Sequence, residues 1–274
     1  MMAMTVVERL RRALAGACGF VLCLSALPAQ AEPELGALEL LASPSETSPV
    51  PRGFLPGAAV LGFQKRYAAQ DDSLYVVPGF IYVDEKFIYL GDRARYYLHR
   101  DGRLALFAFG RVRAGNLNPE KNVAFEGMHK RKWEAEAGVG ANLITDVGLF
   151  TFRASSDITG TSKGQEALAW VDFPILFDRA LVMPGIGVMW RSSRLANYYF
   201  GGVGADEVAP GRPAYNTGST FSPMAAVVTT YRLSKEWIAS LAFGYEWYHS
   251  GTRNSPLVQH RGEGFVLAGI GYVW

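Results

Sequence analysis

The sequence is poor in cysteine: its two cysteines, Cys18 and Cys23, both lie in the first 31 residues. Those residues are predicted to be removed on export, so the mature chain has no cysteine at all. An exported protein without cysteine has no disulfides to stabilise it. The same lack excludes thiol catalysis and zinc–thiolate sites from the mature chain.

Residues 1–31 have the three parts of a secretory signal peptide. A basic start with arginines at positions 9, 11 and 12 precedes an apolar core over residues 13–27, and a small-residue cleavage site follows at Ala29-Gln30-Ala31. The apolar core has 15 residues, fewer than the roughly 20 that a membrane-spanning helix needs. We therefore predict cleavage after Ala31 and no helical anchor.

Long apolar runs are also missing after residue 31, where no uninterrupted stretch reaches the length of a spanning helix. If the mature chain enters a membrane, it must do so as β-strands, because only helices and closed barrels satisfy the backbone in lipid. Its length suits one large all-β domain.

The chain also lacks an excess of charge of either sign. It has 27 Lys and Arg against 25 Asp and Glu, and the predicted signal peptide holds three of the basic residues and one acidic residue. The mature chain therefore has 24 of each and is formally neutral. Nothing in this balance predicts a nucleic-acid partner.

The remaining sequence divides into two parts at residue 57. Residues 32–56 contain five prolines among Ser, Thr and Glu, a composition that predicts a flexible periplasmic N-terminal segment. From residue 57 to 274 the chain consists of segments of about ten residues that alternate in polarity between turn-forming residues, as in transmembrane β-barrels.

The alternation is clearest from residue 132 to 143. One parity is apolar and the other is polar or glycine, which places the two sets on opposite faces of a strand. The apolar set is Trp133, Ala135, Ala137, Val139, Ala141 and Leu143. The same pattern recurs in 103–113, in 235–249, and at the end of the chain, where the predicted lipid-facing row is Val266, Ala268, Ile270, Tyr272 and Trp274.

Counting such segments predicts an antiparallel, up-and-down barrel of about twelve strands. The predicted strands are 57–66, 73–84, 86–91, 94–100, 102–113, 131–143, 146–156, 164–177, 180–191, 219–232, 235–248 and 263–274. Short turns alternate with mostly longer loops, which is typical of bacterial outer-membrane barrels with both termini in the periplasm. A soluble β-sandwich or lipocalin-like barrel has the same period, but aromatic residues at the strand ends favour the membrane.

Three stretches of the chain resemble the MipA/OmpV family of outer-membrane proteins. They are YYFGGVGADEVAPGRPAYNTGSTFSPM at 198–224, TYRLSKEWIASLAFGYEWYHSGTRNSPLVQHRGEGFVLAGIGYVW at 230–274 and VVPGFIYVDEKFIYLGD at 76–92. The resemblance extends from about residue 57 to 274 and is most specific after residue 198. The sequence departs from the family pattern in an extra glycine at 201–203 and in ending with Trp rather than Phe.

The resemblance implies a location in the bacterial outer membrane and a role without catalysis. The best described member of the family looks like a scaffold that joins two enzymes. One is a lytic murein transglycosylase, and the other is a bifunctional murein synthase, which is a penicillin-binding protein. We therefore expect a scaffold in peptidoglycan remodelling, with a narrow channel for small solutes as the alternative. Outer-membrane lipid and lipopolysaccharide are the expected surroundings.

Candidate catalytic, cofactor and metal sites are not predicted. The four histidines, His99, His129, His249 and His260, are scattered and match no metal-ligand spacing. His249 and Ser250 are adjacent, so in a strand they would point to opposite faces and could not share a proton. The glycines at 201–204 and 138–140 precede no phosphate-binding helix, and we interpret them as loop and lumen residues.

Charged residues on the polar parity predict a lumen lined by paired charges, or else a pore. These are Glu134, Glu136, Glu236 and Glu246 with Arg103, Arg111 and Arg113. The basic run at 129–132 is predicted to contact lipopolysaccharide phosphates or solvent. The loop 192–218, with Tyr198, Tyr199, Phe200 and Tyr215, is predicted either to contact a partner or to fold back and plug the barrel.

Overall fold

The computed structural model describes residues 52–68, 70 and 73–273, with Ser73 described by its backbone alone. The predicted signal peptide and residues 32–51 of the predicted N-terminal segment lie outside the described residues. So does Trp274, the last residue of the predicted lipid-facing row.

Thirteen strand segments make one antiparallel sheet. They are β1 (Gly53–Phe63), β2 (Ser73–Val83), β3 (Phe87–Tyr89), β4 (Arg93–Arg100), β5 (Leu104–Arg113), β6 (Glu134–Ile144), β7 (Leu149–Asp157), β8 (Gln165–Asp172), β9 (Ile175–Leu176), β10 (Ala180–Arg191), β11 (Thr220–Arg232), β12 (Trp237–Trp247) and β13 (Gly262–Tyr272). Both β8 and β9 pair with β10, so they are two parts of one strand interrupted at residues 173–174. The prediction of about twelve strands is confirmed.

The sheet closes on itself to form a barrel. With β8 and β9 taken as one strand, each strand pairs with its neighbour in the chain, and the last strand, β13, pairs with β1 from Gly57↔Gly271 to Phe63↔Phe265. Closure of this kind leaves no free edge between first and last strands. The predicted up-and-down barrel is therefore confirmed.

The side chains alternate as the sequence predicts. On β6 the residues Val139 and Leu143 point outward and are 62% and 40% exposed, whereas Glu134 and Glu136 point inward and are buried. The predicted outward rows of β12 and β13 are also exposed, and include Trp237, Leu241, Phe243, Trp247, Val266 and Ile270. The barrel thus presents apolar side chains outward, which is the reverse of a soluble barrel.

The connections differ at the two ends of the barrel. One end of the barrel has only short turns, and we call it the short-turn end. These turns span 84–86, 101–103, 145–148, 177–179 and 233–236. The opposite end, the loop end, carries residues 64–68 and 70, and the loops 90–92, 114–133, 158–164, 192–219 and 248–261. Helices α1 (Ser193–Tyr199) and α2 (Ser250–Arg253) lie in the last two loops.

The first strand begins at Gly53, four residues before the predicted start of the barrel at 57. Residues 53–56 pair with β2 only, and pairing with β13 begins at Gly57. Pro56 has no backbone N–H, which makes it compatible with a position that has a ladder partner on one side. The predicted flexible segment is therefore wrong for residues 53–56, which belong to β1.

No helix in the described part of the chain is both long and apolar enough to cross a membrane.

Candidate functional site

A network of buried charges fills the lumen near the loop end. Four arginines and four glutamates take part, each at most 8% exposed: Arg111, Arg113, Arg153, Arg191, Glu134, Glu136, Glu166 and Glu246. Equal numbers of the two signs make the network formally neutral. Such charges persist in a protein interior only when they are paired and hydrogen-bonded.

Glu166 lies at the centre of this network. Its carboxylate accepts hydrogen bonds from Arg111 Nη2 at 2.7 Å and Arg113 Nη2 at 2.9 Å. The guanidinium groups of Arg153 and Arg191 approach the same carboxylate to 3.5 Å. One carboxylate on β8 therefore holds together arginines from β5, β7 and β10.

Two further pairs extend the network around the wall. Glu136 accepts hydrogen bonds from Arg111 and Arg113, and Ser155 Oγ donates to it at 2.6 Å. Arg191 makes a two-point contact with the carboxylate of Glu246 on β12. Two parallel hydrogen bonds of this kind fix geometry as well as charge.

A second buried cluster lies where β1 meets β13. Arg66 Nη2 donates to Glu263 Oε2 at 2.6 Å, and Arg66 Nε donates to the hydroxyl of Tyr248 at 3.0 Å. Burial alone would lower the pKa of Arg66, but the facing carboxylate of Glu263 more than reverses this, so the pKa is raised. Arg66 therefore stays charged.

The loops 114–133, 192–219 and 248–261 fold over the loop end and form a cap. Its apolar core contains Tyr67, Leu117, Phe125, Met128, Val203 and Leu257, all buried. Arg212 holds two loops together by donating to the carbonyl oxygens of Ala124, Glu126 and Glu207. The cap is thus a packed structure with its own hydrophobic core.

An ion pair between Arg131 and Glu207 joins the cap loops 114–133 and 192–219. The guanidinium donates to the two carboxylate oxygens at 2.7 and 2.8 Å. Burial alone would raise the pKa of Glu207, but hydrogen bonds from Arg131 and from the backbone of Gly204 and His129 lower it to about 2. Glu207 therefore keeps its negative charge, and its pairing, in mildly acidic solution.

Helix α1 connects the cap to the lumen. The carbonyl oxygen of Tyr199 accepts hydrogen bonds from Arg66 Nη1 at 2.8 Å and from Asn116 at 2.6 Å. The ring of Phe200 lies between two guanidinium groups, 4.0 Å from that of Arg66 and 3.9 Å from that of Arg191. Cation–π contacts of this kind strengthen when they are removed from water, so cap and network form one unit.

Comparison with known proteins decides the family. A sequence model described as "MltA-interacting protein MipA" matches residues 57–274. The chain belongs to this family. The MltA-interacting protein of Escherichia coli (strain K12) is 25% identical over 222 residues, which cover 80% of this chain and 89% of that protein. Outer membrane protein OmpV of Vibrio cholerae is 28% identical over 149 residues, covering 54% and 57%.

Among solved structures, the translocator domain of autotransporter NalP from Neisseria meningitidis has a TM-score of 0.45 at 11% identity, covering 88% of this chain and 93% of that one. The NanC porin has a TM-score of 0.40 at 10% identity, covering 81% and 99%.

This MipA-family chain is an outer-membrane protein: relatives are named as such, and the chain forms a closed barrel with an apolar exterior. In bacterial outer-membrane barrels the short turns face the periplasm and the longer loops face outward. The cap therefore lies on the extracellular side and the short-turn end on the periplasmic side.

The predicted lumen charges are confirmed in part. Arg111, Arg113, Glu134, Glu136 and Glu246 belong to the network. The prediction is wrong for the other two. Arg103 and Glu236 lie in short turns and are exposed, because the strands end before them; the carboxylate of Glu236 accepts a hydrogen bond from Ser234.

Sequence reasoning missed five members of the two clusters: Glu166, Arg153, Arg191, Arg66 and Glu263. A signal for Arg153 was present, since it shares the inward parity of β7 with Thr151 and Ser155. Arg66 has no such signal, because it follows the end of β1 and pairs with a residue 197 positions away.

The histidines do not come together, and none faces the charge network. His99 and His129 are exposed. The Nε2 of His99 lies 3.3 Å from Oδ2 of Asp101, and the Nε2 of His129 lies 2.7 Å from Oδ2 of Asp206. His249 and Ser250 are not strand neighbours, which differs from the strand assumed for them in the sequence. His249 lies at the start of α2, where its Nδ1 accepts a hydrogen bond from the backbone N–H of Gly251. His260 is half-buried in the same loop.

The residues of the basic run at 129–132 lie in two different environments. Arg131 is buried in the cap, whereas Lys130 and Lys132 are exposed beside the outward-facing Trp133. Strand β6 begins at Glu134 and not at 131, because Arg131 is held in the cap by Glu207. Contact of the two lysines with lipopolysaccharide phosphates stays a prediction.

The loop 192–218 folds back over the barrel. Tyr199 and Phe200 are buried, and Tyr198 and Tyr215 are half-buried. The predicted folding back of these aromatic residues is therefore confirmed, and their contact with a partner stays a prediction. In the described residues no group of three or more His, Cys, Asp or Glu is arranged to hold a metal ion.

Proposed function

We propose that this barrel is a non-enzymatic scaffold that brings a murein hydrolase and a murein synthase together at the periplasmic face of the outer membrane. The observation that carries the proposal is the occluded loop end, because a barrel that is closed at one end by buried charges and a packed cap acts through its surfaces. The partner class is the one that the family resemblance implies, and a relative named as an MltA-interacting protein supports it.

An apolar patch at the short-turn end supports the proposal. It consists of Val147 in the β6–β7 turn and of Phe173, Ile175, Leu176 and Phe177 around β9, all exposed. Successive strand residues point to opposite faces, yet Ile175 and Leu176 are both exposed. Lipid accounts for one face of β9, and the other is free for a periplasmic protein.

The backbone of β9 adds a second means of contact. In the described chain β9 pairs with β10 and with no strand on its other side. An exposed strand edge beside apolar side chains can accept a strand from another protein. A murein enzyme docking here would lie between the outer membrane and the cell wall, where its substrate is.

Replacing Val147 with Asp tests the patch. A charge at the centre of an apolar contact is expected to weaken binding of a purified lytic murein transglycosylase by about tenfold or more. Surface plasmon resonance with the barrel in nanodiscs measures this, and Val123→Asp is the matched control, since Val123 is also exposed but lies in the cap. Equal binding by V147D and the unsubstituted protein, or no binding by either, would contradict the proposal.

A further inference from the structure

Four cations at the extracellular end of the barrel have no acidic partner in the chain. They lie in the segments that precede β6, join β7 to β8 and follow β10, and all are exposed: Lys130, Lys132, Lys163 and Arg194. We call them the cation patch. None of the four side chains forms an ion pair or a hydrogen bond with a residue that the structure describes. The patch therefore has a positive charge that the described protein does not neutralise.

Hydrogen bonds hold the segments of the patch side by side. The backbone N–H of Lys132 donates to the hydroxyl of Tyr198 in α1 at 3.0 Å, and its carbonyl oxygen accepts from the hydroxyl of Tyr199 at 2.6 Å. The hydroxyl of Thr161 donates to the carbonyl oxygen of Trp133 at 3.3 Å. The start of β6 is thus joined both to α1 and to the loop 158–164.

The loop 158–164 also packs directly on α1. A methyl group added at Gly164 would lie 2.6 Å from Cβ of Leu195, so the two segments are in close contact beside Lys163 and Arg194. Lys163 has a left-handed backbone with a φ of 54°, and its N–H donates to Oδ2 of Asp157 at 2.8 Å. The backbone of Lys163 is therefore held in place before any ligand binds.

The acidic side chains around these segments already have partners. The carboxylate of Asp157 accepts hydrogen bonds from the backbone of its own loop. Asp206 lies 2.7 Å from His129, and Glu207 is paired with Arg131. The counter-charge for the patch therefore comes from outside the described chain, either from solvent ions or from an anionic ligand.

The outer wall of the barrel next to the patch is apolar. Trp133, just before β6, and Ile158, just after β7, are 60% and 66% exposed. The outward side chains that follow on β6, β7 and β8 are mostly small: Ala135, Ala137, Ala154, Ser156 and Ala167. Cations at the level of the lipid headgroups thus lie above a wall along which acyl chains can pack.

We propose that the cation patch binds a lipopolysaccharide molecule of the outer leaflet, with its phosphate groups on the cations and its acyl chains on the wall beside Trp133. Basic clusters at a membrane surface attract anionic lipid headgroups, and Lys and Arg both bind phosphate. Four cations on three segments suit a headgroup with more than one phosphate. The proposal extends the predicted contact of Lys130 and Lys132 to Lys163 and Arg194.

The test measures the binding of bisphosphorylated lipid A to the full mature protein in detergent micelles, and native mass spectrometry counts the bound lipid. Lys163→Gln combined with Arg194→Gln should weaken this binding at least about tenfold, because each basic residue near an anionic lipid surface strengthens binding severalfold. Arg253→Gln combined with Arg261→Gln is the matched control. Both of these arginines are exposed at the same end of the barrel but lie in the loop 248–261, so this variant should bind normally.

A charge-preserving variant separates the loss of charge from a change in the loops. Lys163→Arg combined with Arg194→Lys should bind lipid A as the unsubstituted protein does, and heat-modifiable gel mobility checks that every variant folds. Phosphatidylglycerol, which has a single phosphate, should bind more weakly than lipid A. Equal binding of the two lipids would overturn the assignment to lipopolysaccharide. So would equal binding of lipid A by K163Q/R194Q and the unsubstituted protein, or binding by neither.

Discussion

Replacing Glu166 with Ala is expected to lower the free energy of unfolding by about 3–5 kcal/mol, because removing one partner of a buried ion pair leaves the other charge uncompensated. Glu166 is fully buried and faces four arginines. The change leaves four guanidinium groups with three carboxylates. Urea unfolding in lipid vesicles, followed by tryptophan fluorescence, measures the loss.

Glu85→Ala is the matched control for this prediction. Glu85 pairs with Arg52 at 2.8 Å, but both side chains are well exposed, at 67% and 60%. Exposed pairs contribute about 0–1 kcal/mol, so E85A should unfold almost as the unsubstituted protein does. If E166A and E85A had the same unfolding midpoint, the network would not stabilise the barrel.

Replacing Arg66 with Ala is expected to release the cap while the barrel remains folded. The change removes the donor to Tyr199 and Glu263 and the contact with Phe200, and it leaves Glu263 buried without its cation. A loss of about 3 kcal/mol in cap stability corresponds to roughly a hundredfold larger open population. Limited proteolysis should therefore cut within 192–219 about a hundred times faster.

The control for the cap is Arg253→Ala. Arg253 lies in α2 at the same end of the barrel and is exposed, so this variant should be cut at the original rate. Heat-modifiable mobility should be retained by both variants, because neither change touches a strand pairing. Equal protection of R66A and R253A would mean that the cap is held without Arg66.

Sequence reasoning could predict the barrel because alternation is a local property. On β6 the pattern from Trp133 to Leu143 fixes which side chains point outward, and the structure has them there. Turn residues such as Asp178-Arg179 and Ser234-Lys235 fix where the chain reverses. These two signals are repeated in strand after strand, so the count and the order of the strands follow from them.

The lumen was less predictable because parity gives the face of a residue but not its height along the barrel. Arg103, Arg111 and Arg113 share one parity, yet Arg103 falls in a turn while the others meet Glu136. Pairs between strands that are not neighbours, such as Arg191 on β10 with Glu246 on β12, depend on the register of several strands together. No pattern within one segment contains that information.

The cap was predicted only as one of two alternatives for the loop 192–218. Its stability depends on contacts between distant loops, such as Arg131 with Glu207, 76 residues apart. Loop residues have no fixed period, so their partners are set by tertiary packing. The aromatic content of the loop was the one signal that favoured burial, and Tyr199 and Phe200 are buried.

Single-channel recording in a planar lipid bilayer tests the central claim most directly, since a lumen sealed by the charge network and the cap cannot carry ions. We predict that the purified, fully folded protein inserts without producing any conductance steps at moderate voltage. Reproducible steps from the unsubstituted protein, abolished by heat unfolding, would contradict the occluded lumen and favour a narrow solute channel over a scaffold.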